Sequence, residues 1–156
     1  MKSKISEQDL LFLGERLRSH YREIVVDGFI FDPDKKAMLL QKRSPTRRLF
    51  PNFWDTLGGH LEGQESISEC LKREVYEESG LHLTAIIALV HQFEWNEDKS
   101  VINLQFVCTA TGEPMPEAGK VTEIRWVREE DLQALGNALT APMHEGVMKA
   151  FKAVRT

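Results

Sequence analysis

Three glutamates in one short stretch, Glu74, Glu77 and Glu78, have the spacing to act together. On a helix turning about 100° per residue they share a side with Ile67, Cys70 and Leu71, so one inward stripe changes from apolar to acidic. A merely solvated acidic face would lie opposite Ile67 and Leu71. Glu74 and Glu78 are like charges at i, i+4, and all three acids crowd the helix end whose dipole favours cations. Each effect costs roughly a few tenths of a kcal/mol. Partial burial raises that cost unless something positive neutralises the cluster, and oxygen-only ligands suit a hard cation, Mg²⁺ or Mn²⁺. The pattern alone leaves two readings open: a divalent-cation site, or a structural cluster paired with Arg73 and Lys72.

The surrounding residues carry a resemblance. Gly59, Glu65, Arg73, Glu74, Val75, Glu77, Glu78, Gly80 and Leu81 match the Nudix box at every specified position, over residues 59 to 81. The chain therefore resembles the Nudix hydrolase family, and more loosely over most of its length. The resemblance implies an α/β sandwich of α/β/α layers with a mixed β-sheet. It also implies Mg²⁺- or Mn²⁺-dependent hydrolysis of a nucleoside diphosphate linked to another group, by attack of water on phosphorus. Carried over by position, Glu74, Glu77 and Glu78 are metal ligands, with the Gly58 carbonyl as an additional one. Arg73 is an orienter, able to pair with Glu69 or Glu77 on adjacent turns. Glu65 braces the loop from Gly58 to Gly63. The general base is a box glutamate or a glutamate of the segment 112–119, where Glu117 is favoured over Glu113 and, beyond that segment, Glu123.

Substrate contacts are expected from two groups of residues. Lys42, Arg43, Arg47 and Arg48 put four cations close together, against six acids and two bases between Glu62 and Glu78. A basic loop can grip phosphate oxygens, and Arg forks suit two at once; a solvated flexible loop is the plainer reading. His60 follows the glycine pair and either contacts phosphate or packs in the turn. Phe93 and Trp95, with Phe50, Phe53 and Trp54, offer faces for a base, Trp95 foremost. The first substrate expectation is a nucleoside triphosphate, ordinary or oxidised. ADP-ribose, a dinucleoside polyphosphate or a nucleotide sugar are the alternatives. An isopentenyl-diphosphate isomerase of the same fold would need a cysteine where Gly58 stands, and a silent nucleotide sensor would lack box acids.

These groups need a scaffold. Ser6 precedes a short helix with Leu10, Leu13 and Leu17 on one face; Glu23 to Phe31 and Ala37 to Lys42 read as a hairpin around Asp32 to Lys35. Phe53 to Leu57 reads as extended, Glu65 to Ser79 as the strongest helix, stopped by Gly80, and Leu83 to Glu94 with Val101 to Ala110 as a second hairpin. Glu123 to Val127 adds a strand, Arg128 to Leu135 a helical segment, and a last helix follows Thr140. At 156 residues the length favours one domain, 1–156, with residues 1–20 as a helical extension. Twenty Lys and Arg against 24 Asp and Glu give a charge of −4, which argues against a nucleic acid polymer or membrane partner and for a small nucleotide substrate. Cys70 and Cys108 read as reduced core residues. With no signal-peptide pattern, the expected compartment is cytoplasmic and the expected state a monomer or homodimer.

Overall fold

A computed structural model describes residues 4–135 and 141–155; the first three residues of the expected extension lie outside it. The elements are α1 (Glu7–Arg18), β1 (Glu23–Phe31), β2 (Ala37–Arg43), β3 (Trp54–Asp55), β4 (Leu57–His60) and α2 (Ile67–Ser79). They continue with β5 (His82–Trp95), β6 (Val101–Thr111), β7 (Val121–Arg128), a 3₁₀ helix (Glu129–Leu135) and α3 (Ala141–Arg155). The seven strands form one mixed sheet, ordered β3-β2-β1-β6-β5, with β4 beside β1 and β7 beside β2. The expected short stretch 53–57 is two separate strands, and 128–135 winds as 3₁₀ rather than α. No helix among the described residues is long and apolar enough to cross a membrane.

β1 organises the sheet. It runs parallel to β6 from Glu23↔Val101 to Phe31↔Thr109, while its other edge takes β4 antiparallel over Val25↔His60 to Gly28↔Leu57 and meets β2 only at Phe31↔Met38. β2 instead pairs along its length with β7, which leaves an opening between β2 and β4. Alternation then sorts side chains to two faces. Ile24, Val26, Ile30, Leu104 and Phe106 join the buried face of α2, Ile67, Cys70, Leu71 and Val75. Phe29, Phe31, Val107 and Met38 join Val147, Ala150 and Phe151 of α3, with Phe31 edge-on to Phe151 at 5.3 Å. Helices on both faces of a mixed sheet make the expected α/β/α sandwich.

The helix ends follow local chemistry. Ser6 caps α1 by accepting from the Asp9 N–H at 3.1 Å, and Ser66 caps α2 by accepting from the Glu69 N–H at 3.1 Å. Gly80, at φ 77°, closes α2 in the left-handed region and donates its N–H to Tyr76 O at 2.8 Å. Arg18, in the last turn of α1, donates to the carbonyls of Gly63 and Glu65, so the N-terminal helix pins the loop that leads into α2.

Two adjacent glycines are constrained by different neighbours. A Cβ at Gly58 would stand 2.3 Å from the Val26 carbonyl, which β1 holds between β4 and β6. A Cβ at Gly59 would stand 2.4 Å from the carboxylate of Glu74, the far end of a flexible side chain. Gly58→Ala is expected to lose about 3 kcal/mol in urea unfolding. Gly59→Ala is expected to lose less than about 1 kcal/mol while displacing Glu74 and cutting activity. Equal stability losses at both positions would contradict this seating of β4.

Candidate active site

Four apolar positions of α2, Ile67, Cys70, Leu71 and Val75, are buried against the sheet, and this docking brings its last turns to the opening between β2 and β4. Glu78 enters that opening. It accepts from the Gly58 N–H at 2.8 Å and from the Gln41 amide at 3.4 Å, both neutral donors. Burial pushes its carboxyl well above the usual range, and the negative charges of Glu74 and Asp55 add to the shift. Glu74 is raised for the same first reason, with Arg73 opposing.

Arg73 ties the remaining acids together. Its Nε and NH2 donate to Glu65 at 2.6 and 2.9 Å, its NH1 to Glu74 at 2.8 Å and to Glu77 at 3.3 Å, and Glu62 lies 3.8 Å away. The expected Glu77 pairing is present, whereas Glu69 is replaced by Glu65 because the loop before Ser66 folds back across the helix. Glu65 also accepts from the Glu62 N–H at 3.1 Å, which is the expected brace of the glycine loop, and its carboxyl is held below the usual range first by Arg73. Glu77 is 52% exposed against 16% for Glu74, so it is the least restrained of the three cleft acids. Among the described residues no three carboxylate, imidazole or thiolate groups already stand at metal-ligating geometry.

These side chains border a cleft of about 410 Å³, whose other wall is Arg47, His60, Glu117 and Lys120. The structure thus brings Glu117 to the acids and forms its ion pair with Lys120 at 3.5 Å. Glu113 is exposed outside the cleft lining, and Glu123 pairs with Arg125 on β7. His60 is exposed at the rim with its Nε2 3.7 Å from Glu23. Lys120 was not singled out by the sequence, because a lone lysine beside a glycine carries no pattern.

A second cavity, of about 340 Å³, opens on the α3 face of the sheet. Phe50, Phe53, Trp54, Phe93, Trp95 and Met143 give it mostly apolar walls, and Arg43, Asp55 and Asn103 are its polar members. Trp95 therefore lies here rather than in the acidic cleft. Arg43 also lies here: its Nε donates to Leu49 O at 2.8 Å and its NH1 to Asp55 at 3.4 Å, so much of its fork is committed within the wall. Arg48 is exposed and lines neither cavity. Asp55 joins the two sites, since it lines this cavity and raises Glu78 electrostatically on the other side.

Beneath the second cavity lies a buried polar group that sequence reasoning missed. Asp27 Oδ2 accepts from Asn103 at 2.6 Å and Gln105 at 3.1 Å, all three buried on the α3 face of β1 and β6. The available signal was a single acid inside the apolar run Ile24 to Phe31, and two amides at i, i+2 in the otherwise apolar run Val101 to Cys108 of β6. Burial, then Asp55, pushes the Asp27 carboxyl up to about 7, while the two amides oppose the rise. A folded-state value above the unfolded one means that the native state holds the proton more tightly, so this contribution is full below about pH 4 and is lost as pH rises toward 7. Unfolding free energy is expected to decline over that window by about 3–5 kcal/mol from Asp27, and Asp27→Asn to flatten the decline in denaturant titrations at successive pH values.

Comparison with known proteins bears on this geometry. The family model described as NUDIX domain matches residues 21–150. A nucleoside triphosphatase NudI from Enterobacter sp. is 30% identical over 112 residues, covering 64% of this chain and 78% of its own. A prenyl-diphosphate phosphatase from Methanosarcina mazei is 29% identical over 168 residues, covering 95% of each chain. Among solved structures, a MutT protein from Methanosarcina mazei Go1 superposes with a TM-score of 0.70 at 23% identity, over 86% of this chain and 96% of that one. Four further curated relatives are much longer, and the chain spans between 17% and 34% of their length.

Proposed function

The chain belongs to the Nudix hydrolase family, and from that membership we propose that it hydrolyses a pyrophosphate linkage in a nucleoside diphosphate derivative, with a nucleoside triphosphate, ordinary or oxidised, as first substrate. The observation that carries this reading is the pair of adjoining cavities: an acidic cleft rimmed by Arg47, His60 and Lys120, and an aromatic cavity on the far side of Asp55. A polyphosphate and a base attached to it need such a pair.

The acids fit a divalent cation, Mg²⁺ or Mn²⁺. Their donors are oxygen alone, and among the described residues Glu78 is desolvated with only neutral hydrogen-bond donors, an arrangement that a hard cation would balance. Glu74, Glu77 and Glu78 would hold it, with the Gly58 carbonyl. When bound, such an ion would supply screening of the phosphate charge and a lowered pKa for water. Arg73 orients Glu74 and Glu77 while leaving each an oxygen for other use. Arg47 and His60 grip phosphate oxygens away from the reacting phosphorus, and Glu117 takes the proton of the attacking water. Arg43 stiffens the base cavity, Trp95 supplies a stacking face, and the exposed Arg48 reaches only an extended phosphate chain.

A second reading has one observation of its own. The relative matched over 95% of both chains carries the name prenyl-diphosphate phosphatase, and the walls of the second cavity are mostly apolar, as an isoprenoid chain would require. ADP-ribose and dinucleoside polyphosphates place the same demands on the acidic cleft. The deciding experiment is a Mg²⁺-dependent hydrolysis screen over nucleoside triphosphates, ADP-ribose, dinucleoside polyphosphates and prenyl diphosphates, with products identified. Nucleoside monophosphate and pyrophosphate, or nucleoside diphosphate and phosphate, released from a triphosphate only with metal is the expected result. Tight nucleotide binding with no turnover of any member would instead make the chain a sensor.

A further inference from the structure

We propose that Gln41 is a positioning residue for the cation site: it fixes the Glu78 carboxylate in the opening between β2 and β4 without cancelling its charge. This rests on the hydrolase reading above, in which Glu78 holds a divalent cation. Gln41 ends a run of buried apolar residues on β2, Ala37 to Leu40, and is itself only 3% exposed. Both edges of its strand are taken at this position, by Asp55 of β3 and Ile124 of β7, so the backbone that carries it is locked. An apolar side chain would extend the run at lower cost than an amide.

The amide is only partly satisfied. Its Nε2 donates to the Thr56 carbonyl at 3.3 Å and to Glu78 Oε1 at 3.4 Å, whereas its Oε1 is buried with no hydrogen-bond partner among the described residues. Two acceptors on one side allow one orientation, because half a turn of the amide would set its oxygen against both. Thr56 is anchored in turn, its hydroxyl donating to the Gly28 carbonyl of β1 at 2.6 Å. Glu78 is thereby held at both oxygens, Oε1 by Gln41 and Oε2 by the Gly58 N–H at 2.8 Å. Each oxygen keeps a lone pair for another ligand. Without the amide only the Gly58 bond would remain among the described residues, and the charges of Glu74 and Asp55 would repel a carboxylate free to pivot on it. A lysine or arginine in this place would hold Glu78 but also neutralise it, as Arg73 does for Glu65. A neutral donor orients the carboxylate and leaves its charge to a cation. That use accounts for a buried amide whose carbonyl goes unpaired, an arrangement that by itself costs stability.

The test reads metal binding apart from turnover. Mn²⁺ is titrated into the full chain without substrate, and the free ion is followed by electron paramagnetic resonance for the wild type, Gln41→Met, Glu78→Gln and the double variant. Gln41→Met, similar in length but without a donor, is expected to weaken Mn²⁺ binding about tenfold. The same substitution is expected to change nothing further in the Glu78→Gln background, since Gln41 acts through that carboxylate. Equal affinity of Gln41→Met and the wild type would overturn the proposal. So would a loss that persists beside Glu78→Gln, which would mark a general disturbance of the cleft. Should Gln41→Met not fold, the wild type still decides: the side-chain amide signals of Gln41 in nitrogen–proton correlation spectra are expected to move as Mg²⁺ saturates the site, and unmoved signals would overturn the proposal. A wild type that binds no Mn²⁺ would remove the cation site itself and the hydrolase reading with it, whereas each of the other failures leaves that reading intact.

Discussion

Glu78→Gln is expected to lower turnover at least about a thousandfold while leaving the urea midpoint unchanged or raised. The two halves of this outcome come from the same geometry. Glutamine keeps an oxygen for the Gly58 N–H at its 2.8 Å contact, and it removes a carboxylate that burial and two negative neighbours disfavour. Folding therefore loses little and is relieved of a like charge at i, i+4 from Glu74. Catalysis loses the most deeply buried of the three carboxylates that would hold a divalent cation. Glu77→Gln should repeat the activity loss with less effect on stability, because Glu77 is half exposed. Steady-state kinetics with Mg²⁺ and parallel unfolding curves measure both quantities. If Glu78→Gln lost several kcal/mol with its activity largely kept, the acids would be a structural cluster and the catalytic reading would fail.

Arg73→Ala is expected to show the opposite balance, losing about 3 kcal/mol of stability together with most activity. Arg73 is the cation for Glu65, Glu74 and Glu77, and the first two carboxylates have side chains only 14% and 16% exposed. Removing the guanidinium leaves them mutually repelling and without a cationic partner. It also frees the glycine loop, since Arg73 donates to the His60 carbonyl at 3.3 Å. Arg73→Lys should recover only part of the loss, because an ammonium is a compact charge without the planar fork that reaches several acids at once. Thermal and denaturant unfolding of the three proteins would settle the order; a fully stable Arg73→Ala would mean that solvent already screens these pairs.

What could be read in the chain and what could not divides along sequence distance. The stripe from Ile67 to Glu78 specified both a helix and the side it docks with, because its period is local and its polarity changes on the buried side. Ser6 and Gly80 set helix ends for equally local reasons, whereas the start expected at Glu65 falls at Ile67, capped by Ser66. The strands were recognisable from β-rich runs, but not the parallel pairing of β1 with β6, which joins residues about 78 positions apart. Nor did the turn at Asp32 to Lys35 foretell that β1 and β2 would share only Phe31↔Met38 and then separate, with β4 taking the vacated edge of β1. Glu65 was expected as a brace for the loop; its role as the main partner of Arg73 depends on that loop folding back over the helix.

By itself, the order of residues determined that the acids would lie together on one docked helix face, with glycines next to them and a cation among them. Helical periodicity and nearest-neighbour charge are enough for that. Tertiary structure alone decided that Glu117 and Lys120 close the acidic cleft, that Trp95 and Arg43 belong to a different cavity, and that Asp27 meets Asn103 and Gln105 beneath it. Those meetings depend on strand order and register, which are set by the packing of both sheet faces at once and have no signature in any single segment.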